Sequence, residues 1–262
     1  RLSAQNGFKR EAADIRRAIT PRQQAIVVSY PNNPTGAIMT RQELIDALAP
    51  LEGTDIIVIS DEIYAELSYG EEPHCAVASL PGMYERTITI NGFSKAFAMT
   101  GWRLGYLFAP MPLLRQMLKV HQLTLLCASI TAQEAGVAAM EDAFETDFEA
   151  VGKMRREYNR RRHFIVKSLN DLGLTCFNPE GAFYVFPSVE ATGMDAETFC
   201  DKLLEKQKVA VVPGTAFGMS MNSFIRISYA YSMEHLEEAL VRIEAFLHQL
   251  KAENALPEDV GN

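Results

Sequence analysis

A chain of 262 residues can bury one large core or two modest ones, and 48% hydrophobic with 22% charged residues is an ordinary globular balance. The formal net charge of −8 argues against a partner held by nonspecific electrostatics, whether nucleic acid or anionic membrane. No apolar run reaches the roughly 18 residues of a membrane span, and the first residues do not read as a signal peptide. Cys75, Cys127, Cys176 and Cys200 are widely spaced, and His74, His121, His163, His235 and His248 show no ligand spacing. The expectation is a reduced, cytoplasmic protein without a metal, its histidines serving at the surface or in packing.

The opening RLSAQNGFKREAADIRRAIT has no initiator methionine and reads as a helical connection already under way, so a fragment of something longer is expected. AIVVSY (25–30) is a short β-branched run stopped by Pro31, as a buried strand would be. Thr40 and Glu43 form a capping box ahead of Leu44, Ile45 and Leu48, which predicts a helix. DIIVIS (55–60), TITI (87–90) and GYLFA (105–109) are three further strands. Runs this apolar on both faces belong to a parallel sheet covered by helices on each side.

Residues 112–141 and 143–172 are expected to form long helices, and RREYNRRR (155–162) on the second reads as a solvated face, since acids crowd just upstream. After Gly173 the pattern changes. LTCFNPEGAFYVFP suggests two short strands broken by Pro179 and Gly181, followed by a helix near 195–206, the strands VAVVP and FIRISYA, and a helix from Met233. In that last helix Leu236, Leu240, Ile243, Leu247 and Leu250 make one apolar stripe. The organisation is therefore α/β: a mainly parallel sheet in residues 1–150 and a smaller α+β domain in 151–262. The acidic tail ENALPEDVGN is expected to be loose.

Four polar groups fall where strands meet loops. Asn33 follows AIVVSY, Asp61 and Tyr64 follow DIIVIS, Ser94 and Lys95 follow TITI, and Arg103 precedes GYLFA. Each has a bland explanation: an Asx turn for Asn33, a helix cap for Asp61, a core ring with a wet tip for Tyr64. Ligands in open α/β sheets bind at the carboxyl ends of the strands, and joint arrival at one edge is what the bland reading does not supply. The stretch NGFSKAFAMTGWRLGY (91–106) also places two cations in crowded, apolar surroundings, which asks for something anionic or covalent between them. A sheltered lysine forms Schiff bases with carbonyl compounds, a hydroxyl and a guanidinium suit a phosphate, and an acid can hold a heterocyclic nitrogen protonated. Together these describe pyridoxal 5'-phosphate.

The segments PNNPTG (31–36), SDEIY (60–64), SKAFAMTGWRLGY (94–106), GAFYVFP (181–187), VVPGTAFG (211–218) and FIRISYA (224–230) occur in an order that resembles the class I aminotransferases of the fold-type I pyridoxal-phosphate enzymes. The similar branch includes aromatic-amino-acid and N-acetyl-diaminopimelate aminotransferases. The resemblance implies that Lys95 carries the cofactor covalently and later moves a proton at the substrate Cα. It implies that Asp61 faces the pyridine nitrogen, that Asn33 and Tyr64 bond the ring hydroxyl, and that Ser94 and Arg103 hold the phosphate. Arg226 would take the substrate α-carboxylate, although an arginine between Ile225 and Ile227 is more often the solvent side of a strand.

Family members carry a further stretch, about a third of their length, that has no counterpart in these residues. The resemblance assigns it a glycine-containing phosphate loop, the ring stacked on the pyridine and a tyrosine given to the neighbouring subunit. A homodimeric aminotransferase is thus implied for the whole protein, acting on an amino acid and a 2-oxo acid such as 2-oxoglutarate, with these residues inactive alone. Two alternatives stand beside it: a lyase of the C–S type on the same cofactor, and a non-catalytic sensor domain.

Overall fold

The computed structural model describes residues 3–255; the tail expected to be loose lies mostly outside them. They fall into two compact units. The first runs through Glu157 and takes in Glu180–Ala182; the second holds Tyr158–Pro179 and continues from Phe183.

In the first unit α1 (Ala12–Ala18) precedes β1 (Ala25–Ser29), α2 (Arg41–Leu48) and β2 (Ile57–Asp61). Then come β3 (Thr87–Gly92), the four-residue α3 (Phe93–Ala96) and β4 (Gly105–Phe108). The sheet order is β1-β2-β3-β4. β1, β2 and β3 are parallel, with Ser29 opposite Asp61 and Asp61 opposite Ile90. α2 begins where the capping box predicts: the Thr40 hydroxyl accepts from the Glu43 amide, and the Glu43 carboxylate accepts from the Thr40 amide.

β4 is antiparallel to β3, with Gly92 opposite Gly105, which corrects the expectation of a parallel strand here. The physical reason is loop closure. The twelve residues between the strands fold back on themselves, and the Phe93 amide donates to the Leu104 carbonyl at 3.2 Å, so the chain returns at the edge it left. The chain therefore reverses and β4 returns alongside β3. The reversal is tight. A Cβ on Gly92 would lie 2.9 Å from the Gly105 Cα, so a side chain at this crossing would push the two strands apart.

The sheet is covered only in part. All four residues of β4 are exposed, and α4 (Met111–Thr124) buries none of its residues. Phe108, Leu118, Leu125, Leu126 and Ile130 are open to solvent, and Leu123 is 90% exposed. The helix expected over 112–141 is two, α4 and α5 (Ile130–Glu145). Between them Leu126 takes a left-handed φ of 69°, while the amides of Leu125 and Leu126 both donate to the His121 carbonyl and close α4.

The boundary between the units falls within α6 (Glu149–Asp171). The second unit has a three-stranded antiparallel sheet, β5 (Tyr184–Val185), β7 (Ile225–Ser228) and β6 (Val212–Pro213) in that order, with α7 (Ala196–Gln207) and α8 (Met233–Ala255). Residues 174–178 form no strand, so the two strands expected before Pro187 reduce to β5. The stripe on α8 is buried at Leu236, Leu240, Ile243, Leu247 and Leu250, and Phe246 beside it packs edge-on against Phe199 of α7.

RREYNRRR is not wholly a solvated face. Arg162 is 5% exposed; its guanidinium donates to Asn159 Oδ1, to Asn178 Oδ1 and to the Pro179 carbonyl. With His163 Nε2 2.7 Å from Nη2, each nitrogen of the buried guanidinium has an acceptor. Among the described residues no helix is long and apolar enough to cross a membrane.

Candidate active site

The reversed direction of β4 puts its beginning at the same edge as the ends of β1, β2 and β3. Asn33, Asp61, Lys95 and Arg103 therefore come from four neighbouring strands at one edge of one sheet.

The loop after β1 is held by Asn32 rather than Asn33. Asn32 Oδ1 accepts from the Thr35 hydroxyl at 2.8 Å and the Thr35 amide at 3.3 Å, while its Nδ2 donates to the Ser29 carbonyl. Asn33 is exposed beside this Asx-type turn. The amides of Glu180 and Gly181 both donate to the Gly36 carbonyl. Gly181 permits that approach, since a Cβ there would lie 2.4 Å from Pro31 Cβ. Tyr30 anchors the loop from behind, donating to the Phe8 carbonyl at 3.0 Å; burial pushes its pKa up to about 12 against the lowering effect of Arg10.

Asp61 ends β2 half-buried, with Oδ1 accepting from the Ile63 amide at 3.3 Å. Tyr64 follows, its residue 5% exposed. Lys95, half-buried on α3, holds its ammonium 5.6 Å from the centroid of the Tyr64 ring, within cation–π range. Phe93, two residues earlier, packs against Phe97 and Tyr106 at 5.3 and 5.8 Å between ring centroids, which fixes α3 on the sheet.

Ser94 and Arg103 are joined through Thr100, a residue the sequence reading passed over. The Thr100 hydroxyl donates to the Ser94 carbonyl at 2.8 Å, and Arg103 Nη1 donates to the Thr100 carbonyl at 2.8 Å. Arg103 has a left-handed φ of 55°, an uncommon state for a residue with a side chain and one that the surrounding turn imposes.

In the second unit Arg226 is not simply the solvent side of its strand. Its guanidinium carbon lies 4.5 Å from the Tyr184 ring centroid and 4.9 Å from that of Phe217, while Ile225 and Ile227 are buried. Two rings fix the plane of the fork.

The first-unit residues fit pyridoxal phosphate chemically: an amine, a carboxylate, a phenol, a carboxamide, a hydroxyl and a guanidinium reach one sheet edge. Two residues outside the expected set, His74 and Glu62, pair beside Asp61. His74 is mostly covered and meets the buried carboxylate of Glu62, the residue after Asp61; an acid placed directly beyond a strand end was the available signal.

The family description "Aminotransferase class I and II" matches residues 1–243. The aminotransferase-family protein YugH of Bacillus subtilis is 49% identical over 247 residues, covering 94% of this chain and 63% of its own length. An aromatic-amino-acid aminotransferase 2 of Thermococcus litoralis is 41% identical, again covering 94% of this chain and 63% of its own length. The crystal structure of an aromatic aminotransferase from Pyrococcus horikoshii superposes with a TM-score of 0.91 at 41% identity, covering 95% of this chain and 66% of that one. The chain thus spans about 63% of the length of the curated relatives it matches.

Proposed function

The chain belongs to the class I and II aminotransferases, a pyridoxal-phosphate-dependent family, and from that premise we propose that it carries the cofactor-anchoring part of an enzyme moving an amino group between an L-amino acid and a 2-oxo acid. The observation that carries this reading is the arrival of Asp61, Lys95 and Arg103 from three adjacent strands at one edge, with Tyr64 beneath the Lys95 ammonium.

Bound pyridoxal phosphate would supply the electron sink for negative charge developing at the substrate Cα. The rest falls to the chain. Lys95 would anchor the cofactor covalently and move the proton at the substrate Cα. Asp61 presents a carboxylate to the pyridine nitrogen and keeps a proton there. Asn33 and Tyr64 would bond the ring hydroxyl. Ser94 and Arg103 hold the phosphate, and the Thr100 bridge keeps the two in step. Arg226 receives the α-carboxylate through its planar fork.

The acceptor is assigned as 2-oxoglutarate and the donor as aromatic or of the N-acetyl-diaminopimelate type; the whole protein is assigned as a homodimer. Relatives named for both donor types support this, and others are named aspartate aminotransferases. Four unbridged cysteines agree with a reducing, cytoplasmic setting.

The test is a donor screen on the holoenzyme carrying this chain, with 2-oxoglutarate and with phenylalanine, N-acetyl-diaminopimelate and aspartate as donors. Glutamate formation with the first or second supports the assignment. Preference for aspartate overturns the donor, and release of ammonia and pyruvate from a sulfur amino acid, without glutamate, overturns transamination.

A further inference from the structure

We infer that Glu62 is a positioning residue that aims Asp61 and Tyr64, by pinning the turn between them to β3 and to the segment 74–77. This rests on the proposed reading of Asp61 and Tyr64 as cofactor-facing groups.

Glu62 is 3% exposed. Its Oε1 accepts from the Ser60 hydroxyl at 2.8 Å and from the Val77 amide at 3.0 Å, and its Oε2 meets His74 Nε2 at 2.9 Å. Its own amide donates to the Ile90 carbonyl of β3 at 2.9 Å. Further along, the Ala65 amide donates to the Glu62 carbonyl and the Leu67 amide to that of Tyr64, both at 2.9 Å. One residue thus ties together the end of β2, the neighbouring strand that leads to Lys95, and a segment more than ten residues away.

A carboxylate this deep is a poor way to gain stability, since a well-packed apolar side chain of similar size does as well or better. What the carboxylate offers is a unique arrangement, because its three partners must all be in place at once. Strand alternation turns that arrangement into aim. Side chains in β2 point to opposite faces in turn, and burial alternates through Val58 and Ser60 to Glu62. With Ser60 and Glu62 bonded to each other on the inner side, Asp61 is committed to the opposite side. Loss of the clamp frees the turn, and both the carboxylate of Asp61 and the ring of Tyr64 move with it.

The variants are Glu62→Ala, which removes the three side-chain bonds and keeps the backbone ones to Ile90 and Ala65, and Glu62→Gln, which keeps shape and an acceptor for Ser60 and Val77 while its amide can donate to the other tautomer of His74. His74→Ala removes one partner from a mostly covered position and serves where Glu62→Ala does not fold. In the apoprotein, hydrogen exchange at the Ala65 and Leu67 amides should quicken about ten-fold in Glu62→Ala or His74→Ala. In the holoenzyme, visible circular dichroism per bound pyridoxal phosphate should fall about two-fold or more, with kcat falling further than KM, and Glu62→Gln should restore most of both. Variants that lose thermal stability yet keep parental exchange, or parental dichroism per bound cofactor, overturn the inference and leave Glu62 a structural residue. A parent that binds no cofactor overturns the functional reading instead, and is seen before any variant is made.

Discussion

The Lys95 ammonium and the Tyr64 ring lie 5.6 Å apart, although one belongs to the helix after β3 and the other to the turn after β2. Adjacent parallel strands deliver them: Asp61 pairs with Ile90, and each chain then runs a few residues past the same edge. Register between β2 and β3 therefore governs the distance between amine and phenol. A one-residue slip would turn Asp61 to the opposite face and part the pair.

Asp61→Ala should leave the fold and the covalent attachment of cofactor intact. The rate of the half-reaction with an amino donor should fall by about 10²–10⁴-fold, the scale set by losing one member of a partly sheltered charge pair, about 3–5 kcal/mol. Stopped-flow absorbance gives the rate. Near-parental turnover would remove Asp61 from the role of nitrogen partner.

Arg226→Lys keeps a positive charge between Tyr184 and Phe217 but loses the planar fork. Binding of amino donors should weaken by about 1.5–3 kcal/mol, the range for charged hydrogen bonds. The loss should be alike for every donor, since all share the α-carboxylate. A loss confined to one donor class, measured by KM across a donor series, would place Arg226 against side chains instead.

The capping box gives a pH-dependent prediction. Burial alone would raise the Glu43 pKa, but hydrogen bonds from Lys9 and the Thr40 amide outweigh it, and the net shift is downward from 4.5. A group whose pKa is depressed on folding contributes stability above its unfolded value and loses it as pH falls through the folded one. Glu43→Gln removes the charge that Lys9 and the Thr40 amide bond, and should thus cost up to about 1 kcal/mol near neutral pH, as for a half-exposed pair. The gap to the parent should narrow below about pH 4.5 as Glu43 takes up its proton. Urea midpoints at pH 7 and pH 4 check this, and a gap that is the same at both would contradict it.

The apolar surface on β4, α4 and the start of α5 has a consequence for the 262 residues expressed by themselves. Phe108, Leu123, Leu126 and Ile130 form the kind of exposed patch that drives association. Size-exclusion chromatography with light scattering should show oligomers or aggregates, reduced when Leu123 and Leu126 are changed to Lys. A monodisperse monomer at tens of micromolar would show that this face is tolerated in water.

Much of the sheet was legible because β-branched runs stopped by Pro31, Asp61 and Ser94 mark strand ends without reference to distant contacts. The direction of β4 was not, since it depends on a contact across the connecting loop, from the Phe93 amide to the Leu104 carbonyl, backed by packing of Phe93 on Phe97 and Tyr106. The break between α4 and α5 has no glycine or proline to announce it; Leu126 enters the left-handed region with only tertiary context to explain it. Arg162 looked like one cation among many in a basic run, because its partners Asn178 and Pro179 lie across a turn that sequence periodicity does not measure. Glu62 and His74 escaped for the same reason: twelve residues separate them in the chain and 2.9 Å in space. Local chemistry was readable along the chain, and pairings across loops were not.

The claim on which the rest depends is that Lys95 anchors the cofactor. Borohydride reduction of the holoenzyme reconstituted with pyridoxal phosphate, followed by peptide mass mapping, tests it most directly. The account predicts one reduced pyridoxyl phosphate group per chain, on the peptide containing Lys95, and none in Lys95→Ala. Stoichiometric label on another lysine, such as Lys119 or Lys153, would contradict it.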